Sequence, residues 1–97
     1  MLSKNEILKF LKKYKEEKKD IYYIKKIGLF GSYAKEQQSE ISDIDIVVEF
    51  NKPDLFNQIG IMQDLEEYFK KDVDVISLWK HINPKLKKRI DKDTIYV

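Results

Sequence analysis

An α/β (α+β) fold follows from three observations on the sequence. Two long segments, residues 3–18 and 54–70, carry apolar residues at helical spacing with charged residues between them. Three shorter runs, residues 22–30, 43–50 and 72–77, are rich in Ile, Val, Phe and Tyr, which favour strands. The two kinds of segment alternate, and polar or Gly- and Pro-containing breaks separate them.

Taken in order, residues 3–18 predict an amphipathic helix. Ser3-x-x-Glu6 has the form of a capping box at its start. Ile7, Leu8, Phe10, Leu11 and Tyr14 make its apolar stripe. Residues 22–30 predict a strand, and Gly28 inside it predicts close approach of another backbone. Gly31 permits a tight strand-to-helix turn, opening a short helix over residues 31–38. Ser32 places a hydroxyl beside free backbone N–H groups. That is either a phosphate-binding arrangement or an ordinary helix cap. Residues 39–42 are a polar turn. Residues 43–50 are a strand with one wholly apolar face: Ile44, Ile46, Val48 and Phe50. Asn51-Lys52-Pro53 ends it. The helix 54–70 has Leu55, Ile59, Met62, Leu65, Tyr68 and Phe69 as its expected inner stripe. Residues 72–77 form a third strand. Asn83-Pro84 reads as a cap followed by a first-turn proline, opening a helix over 84–91 with Leu86 and Ile90 inside. Residues 94–97 make a last short strand. The single histidine, His81, reads as structural, and the connection from Trp79 to Asn83 could present a partner-facing surface.

Ninety-seven residues, 42% of them hydrophobic, suit one small domain (1–97) with a modest core. The apolar runs exclude a disordered polyelectrolyte, despite 37% charged residues. The absence of Cys excludes disulfides and thiolate metal sites, and fits a cytoplasmic setting. The Lys-rich, amphipathic N-terminus is not a signal peptide. No run approaches the ~20 apolar residues needed to span a bilayer. The net charge of +2 conceals an asymmetry. Residues 1–27 carry nine Lys against four acids, residues 28–77 four Lys against eleven acids, and residues 78–97 six basic residues against two acids. An acidic centre between basic ends suits a metal-plus-polyphosphate site.

The acidic centre contains the chemistry. Asp43 and Asp45 stand at i and i+2 of a strand, so they share a face at a separation of roughly 6.5–7 Å. Two like charges there are unfavourable unless a cation compensates them. The strand 72–77 offers a third carboxylate. Asp72 and Asp74 have the same parity, so periodicity does not choose between them. Asp72 follows Lys70-Lys71 at the strand edge and reads as a turn residue. Asp74, flanked by Val73 and Val75, is the better third ligand. Mg²⁺ suits such oxygen ligands. The chemistry they support is phosphoryl or nucleotidyl transfer, with the third-strand carboxylate placed to take a proton from an incoming hydroxyl.

Gly31-Ser32, ten residues, and then Asp43-x-Asp45 resembles the signature of the polymerase-β-like nucleotidyltransferases. Nearly the whole chain is similar to the minimal nucleotidyltransferases, the MNT-type antitoxins paired with HEPN toxins. The resemblance implies a small mixed sheet backed by helices, with Mg²⁺ as cofactor and ATP as substrate. It implies that Gly31 and Ser32 hold the triphosphate, that Asp43 and Asp45 bind metal, and that Asp74 binds metal and assists deprotonation of the acceptor. In the antitoxin branch the acceptor is a tyrosine hydroxyl of the partner HEPN ribonuclease, which adenylylation silences. One residue departs from the pattern. Many relatives read Gly-Ser-x-Ala-Lys/Arg-Gly, and Glu36 stands where Gly is common. A side chain there would alter the helix end, and its charge does not favour a nearby triphosphate. Two other functions remain open: neutralisation of a toxin by contact, with feeble catalysis, and nucleotidyl transfer to a small molecule or RNA. A single Arg (Arg89) is poor equipment for direct base readout, so nucleic acid is not the expected partner.

Overall fold

The structure is a computed structural model that describes residues 2–79 and 81–97; Lys80, in the Trp79-to-Asn83 connection, lies outside the described residues. Its elements are α1 (Lys4–Tyr22), β1 (Ile24–Phe30), α2 (Gly31–Ala34), β2 (Ile44–Phe50), α3 (Leu55–Phe69), β3 (Val73–Leu78), α4 (Pro84–Asp93) and β4 (Ile95–Tyr96). The strands form one sheet in the order β3-β2-β1-β4. β1 is antiparallel to both β2 and β4, whereas β2 and β3 are parallel. The sheet is therefore mixed. α3 supplies the crossover that a parallel pair requires.

Strand alternation gives the sheet two different faces. On one, Ile27, Leu29, Ile44, Ile46, Val48 and Val73 pack with Ile7, Leu11 and Tyr14 of α1 and Ile61 and Leu65 of α3. On the other, Phe30, Val47 and Leu78 pack with Ile90 of α4, and Ile76, Ile82 and Leu86 lie at the margin. A Cβ at Gly28 would stand 2.7 Å from Thr94 Cγ2 and 2.8 Å from the Ile95 carbonyl oxygen. The predicted close approach is thus that of β4.

α1 begins as expected, with the Ser3 hydroxyl accepting from the Glu6 N–H at 3.2 Å. It runs one turn beyond the predicted end and stops at Tyr23 in the left-handed region (φ 58°). Long-range contacts hold the added turn. The Tyr22 phenol donates to Asp64 Oδ2 of α3 at 3.3 Å, on the same oxygen that receives Tyr14 at 2.7 Å.

The predicted stripe of α3 needs correction. Ile61 and Leu65 are its buried residues, whereas Leu55 is 67% exposed and Ile59 and Tyr68 are also exposed. Leu65 and Phe69 face the core as expected, but Ile61 is buried in addition, and Gln58 rather than Ile59 meets the sheet. The Gln58 amide donates to the Val75 carbonyl at 2.8 Å, and Glu66 Oε2 accepts from the Val73 N–H at 3.2 Å. α3 therefore docks on the edge strand partly through polar side chains, a contact that apolar periodicity cannot reveal. The helix predicted over residues 31–38 is also shorter, ending at Ala34. Glu36 has φ 58°, which a right-handed helix cannot continue through. No helix among the described residues is long and apolar enough to cross a membrane.

Candidate active site

The residues singled out in the sequence meet where β1 ends and β2 and β3 begin. Phe30, the last residue of β1, is registered opposite Asp45. Gly31 then turns the chain with φ +75°, and a Cβ at this position would overlap Asp45 Oδ2. Glycine is therefore required twice, by the backbone angle and by the approach of the carboxylate. Ser32 follows as the second residue of α2. The capping position belongs to Phe30, which gives no side-chain cap bond, so Ser32 is not an ordinary cap.

Across the parallel ladder Asp45 pairs with Asp74. Paired residues on neighbouring strands project to the same face, about 4.8 Å apart. That face is the one covered by α4, but α4 packs over Val47 and Leu78 and leaves the acid end uncovered. Asp43 and Asp74 are exposed and Asp45 is half-buried. Partial burial raises the Asp45 carboxyl above the usual carboxylate range, and the charges of Asp74 and Asp43 raise it further. Asp74 and Asp43 thus both act on Asp45. Asp72 is not among the charges that do so. It precedes β3, where its carbonyl accepts from the Ile44 N–H at 3.1 Å, as the turn reading requires.

Among the described residues no three acidic or imidazole side chains close into a metal cage. The donor chemistry nevertheless fits Mg²⁺, which is usually held by one or two carboxylates plus water and substrate phosphates. An open set of hard oxygen donors with unrelieved mutual repulsion could hold such an ion, provided the substrate completes its shell.

Lys35 and Asp93 gain roles here that sequence patterns did not assign, and Glu36, singled out by the pattern, gains a partner. Glu36 sits in the left-handed region, which is the physical reason glycine suits this position. Its Oε1 lies 3.1 Å from Lys4 Nζ, so its charge is engaged by α1. Lys35 Nζ lies 3.3 Å from Asp93 Oδ2 at the end of α4. Both are long-range ion pairs without a sequence signal. His81 stands apart from the carboxylates. It meets Trp79 edge-on at 5.3 Å, beside a groove of about 650 Å³ that also involves Phe50, Pro53 and Leu78. That groove lies at the opposite end of β2 and β3 from Asp45 and Asp74.

The family model described as "Polymerase beta, Nucleotidyltransferase" matches residues 5–97. The chain is 43% identical to "Putative protein adenylyltransferase MJ1379" of Methanocaldococcus jannaschii, over the full length of both. It is 31% identical to "Protein adenylyltransferase MntA" of Thermococcus cleftensis, over all of this chain and 98% of that one. Among solved structures it is similar to a chain of a toxin–antitoxin complex with AMP-PNP. There the TM-score is 0.71 and the identity 28%, covering 98% of this chain and 72% of that chain. It is also similar to a chain of the complex between the tri-AMPylated Shewanella oneidensis HEPN toxin and its MNT antitoxin. The TM-score is 0.61 and the identity 26%, covering 96% and 66% respectively.

Proposed function

Because this chain belongs to the polymerase β nucleotidyltransferase family and is a minimal nucleotidyltransferase, we propose that it is an Mg²⁺-dependent protein adenylyltransferase that acts as an antitoxin. It transfers AMP from ATP to a tyrosine hydroxyl of a HEPN-type toxin. The observation that carries this reading is the position of Asp45, with the Gly31 turn against its carboxylate and Asp74 beside it on the next strand. The protein adenylyltransferase names of the relatives support the reaction class. The HEPN toxin of the Shewanella oneidensis complex supports the partner.

In this reading Gly31 and Ser32 bind the triphosphate. The place of Gly31 against Asp45 supports this, because phosphate oxygens held at the turn would lie near the carboxylates. Asp43, Asp45 and Asp74 would hold Mg²⁺ together with the substrate phosphates, and the ion would supply charge neutralisation on the phosphates and on the leaving group. Asp74 is exposed on the edge strand, where a protein acceptor can reach it. It takes the proton from the tyrosine hydroxyl as the phenolic oxygen attacks the α-phosphorus. The bond from the α-phosphorus to the bridging oxygen breaks, and pyrophosphate leaves with those electrons.

The test is incubation of the protein with α-labelled ATP, Mg²⁺ and the product of the adjacent gene, once that product is verified as a HEPN-type protein. Label is expected on a tyrosine of the partner and should be lost in the Asp43→Asn/Asp45→Asn double variant, which keeps its fold. An unlabelled but verified partner would overturn the reading. A double variant that still silences the toxin in cells would favour neutralisation by contact.

A further inference from the structure

The short helix that carries the nucleotide turn does not support itself. α2 has four residues, and a single helical turn is unstable alone in water. Tyr33 and Ala34 anchor it in the core. Its backbone closes through the Lys35 N–H on the Gly31 carbonyl at 3.2 Å and the Gln37 N–H on the Ser32 carbonyl at 2.8 Å. The two residues that follow α2 are gripped from opposite sides of the sheet: Glu36 by Lys4 of α1, and Lys35 by Asp93 of α4. The first pair is weak, because the Glu36 side chain is 65% exposed and solvent screens exposed pairs. In the second the Asp93 side chain is only 17% exposed, although Lys35 at 44% is more open than Lys4 at 28%. α4 also places Ile90 in the same apolar cluster as Phe30, the residue before Gly31. One helix thus brackets the turn, by an apolar contact before it and an ion pair after it.

The geometry points to Lys35 and Asp93 as a positioning pair that fixes Gly31 and Ser32 against Asp45 and so sets the affinity for the triphosphate. This rests on the nucleotidyl-transfer reading above. Asp93 touches no substrate and acts through Lys35. A turn that is free to shift presents its phosphate-binding groups away from the productive position, which weakens binding more than it slows chemistry once the nucleotide is seated.

The experiment compares Asp93→Asn, Lys35→Met and the reversed pair Lys35→Asp/Asp93→Lys in the full chain. Each single variant should raise KM for ATP, and Kd for a non-hydrolysable ATP analogue with Mg²⁺, by about threefold to tenfold with kcat within about twofold. The reversed pair should recover most of that loss. In the absence of nucleotide, the Lys35 and Gln37 amides should exchange with solvent about threefold or more faster in Asp93→Asn than in the parent. A weakened Lys35→Met beside an unaffected Asp93→Asn would mean that Lys35 grips phosphate directly, and would overturn the inference. So would a reversed pair no better than the singles. If the parent itself bound no nucleotide, the functional reading would fail. Amide exchange would still decide the positioning role, and unchanged exchange in Asp93→Asn would overturn it.

Discussion

The two faces of β2 show how one strand serves stability and chemistry at once. Ile44, Ile46, Val48 and Phe50 point into the side closed by α1 and α3, and all four are buried. Asp45, Val47 and Glu49 point to the other side, where, among the described residues, the ten-residue α4 and Ile82 before it provide the cover. The first face is sealed along its length. The second is sealed only over Val47 and stays open at Asp45. The difference is one of cover rather than of strand. A longer helix over the second face would have buried the carboxylates, and a shorter one would have exposed Val47 and Leu78.

The largest effect that tests this contrast is on the sealed side. Ile46→Ala should lower stability by about 2–5 kcal/mol, because a fully packed site cannot collapse around the cavity. Ile90→Ala on the half-open side should fall at or below the low end of that range, since α4 can settle toward the sheet. Urea denaturation of both variants measures the gap, and equal losses would show that the second face is as tightly closed as the first.

A smaller effect, of opposite sign, belongs to Asp45. Its carboxyl is raised in the folded protein by partial burial and by Asp74 and Asp43. The native state therefore holds the proton more tightly than the unfolded chain does. Stability should fall as pH rises from the ordinary value of 3.8 through the raised folded value, and should stay lower above it. Asp45→Asn removes this penalty. At neutral pH, without divalent ions, it should stabilise the protein by no more than about 1 kcal/mol, because water screens a half-exposed group. The gain should vanish in acid, and Mg²⁺ should raise Tm in the parent more than in the variant. Thermal melts across pH with and without Mg²⁺ provide the check; a destabilised variant at neutral pH would mean that the carboxylate is held by contacts rather than repelled by its neighbours.

The smallest effect lies at the turn beside these acids. Glu36→Gly relieves a left-handed residue and loses only an exposed ion pair, so it should stabilise by about 0.5–1 kcal/mol. A loss of that size in the same urea titration would show that the Lys4 pair matters more than the backbone angle.

The sequence made the open face legible because a period of two is strict. Once this run is read as a strand, Asp45 must oppose Ile44 and Ile46; the strand begins at Ile44, so Asp43 lies just before it rather than on it. Parity does not separate Asp74 from Asp72; the flanking Val73 and Val75 favour Asp74, and the parallel pairing sets it beside Asp45. For Ser32 the sequence allows either a cap or a phosphate contact, and the backbone puts the cap at Phe30. The misread elements share a different cause. Gln58 on β3, Tyr22 on Asp64 and Asp93 on Lys35 are contacts between residues far apart in the chain, and each joins polar atoms that hydrophobic spacing does not weigh. They set the docking of α3, the last turn of α1 and the seat of α2. Helix existence was thus a local property, whereas helix docking and length were not.

The polar docking of α3 has a further effect on how copies of this chain meet. β3 lies at the edge of the sheet, and an open edge invites another strand to add to it and build aggregates. The Val73 N–H and the Val75 carbonyl are already bonded to Glu66 and Gln58. An incoming strand would have to break both bonds before forming its own ladder. The same two side chains that dock α3 on β3 therefore guard the sheet against growing from one molecule into the next.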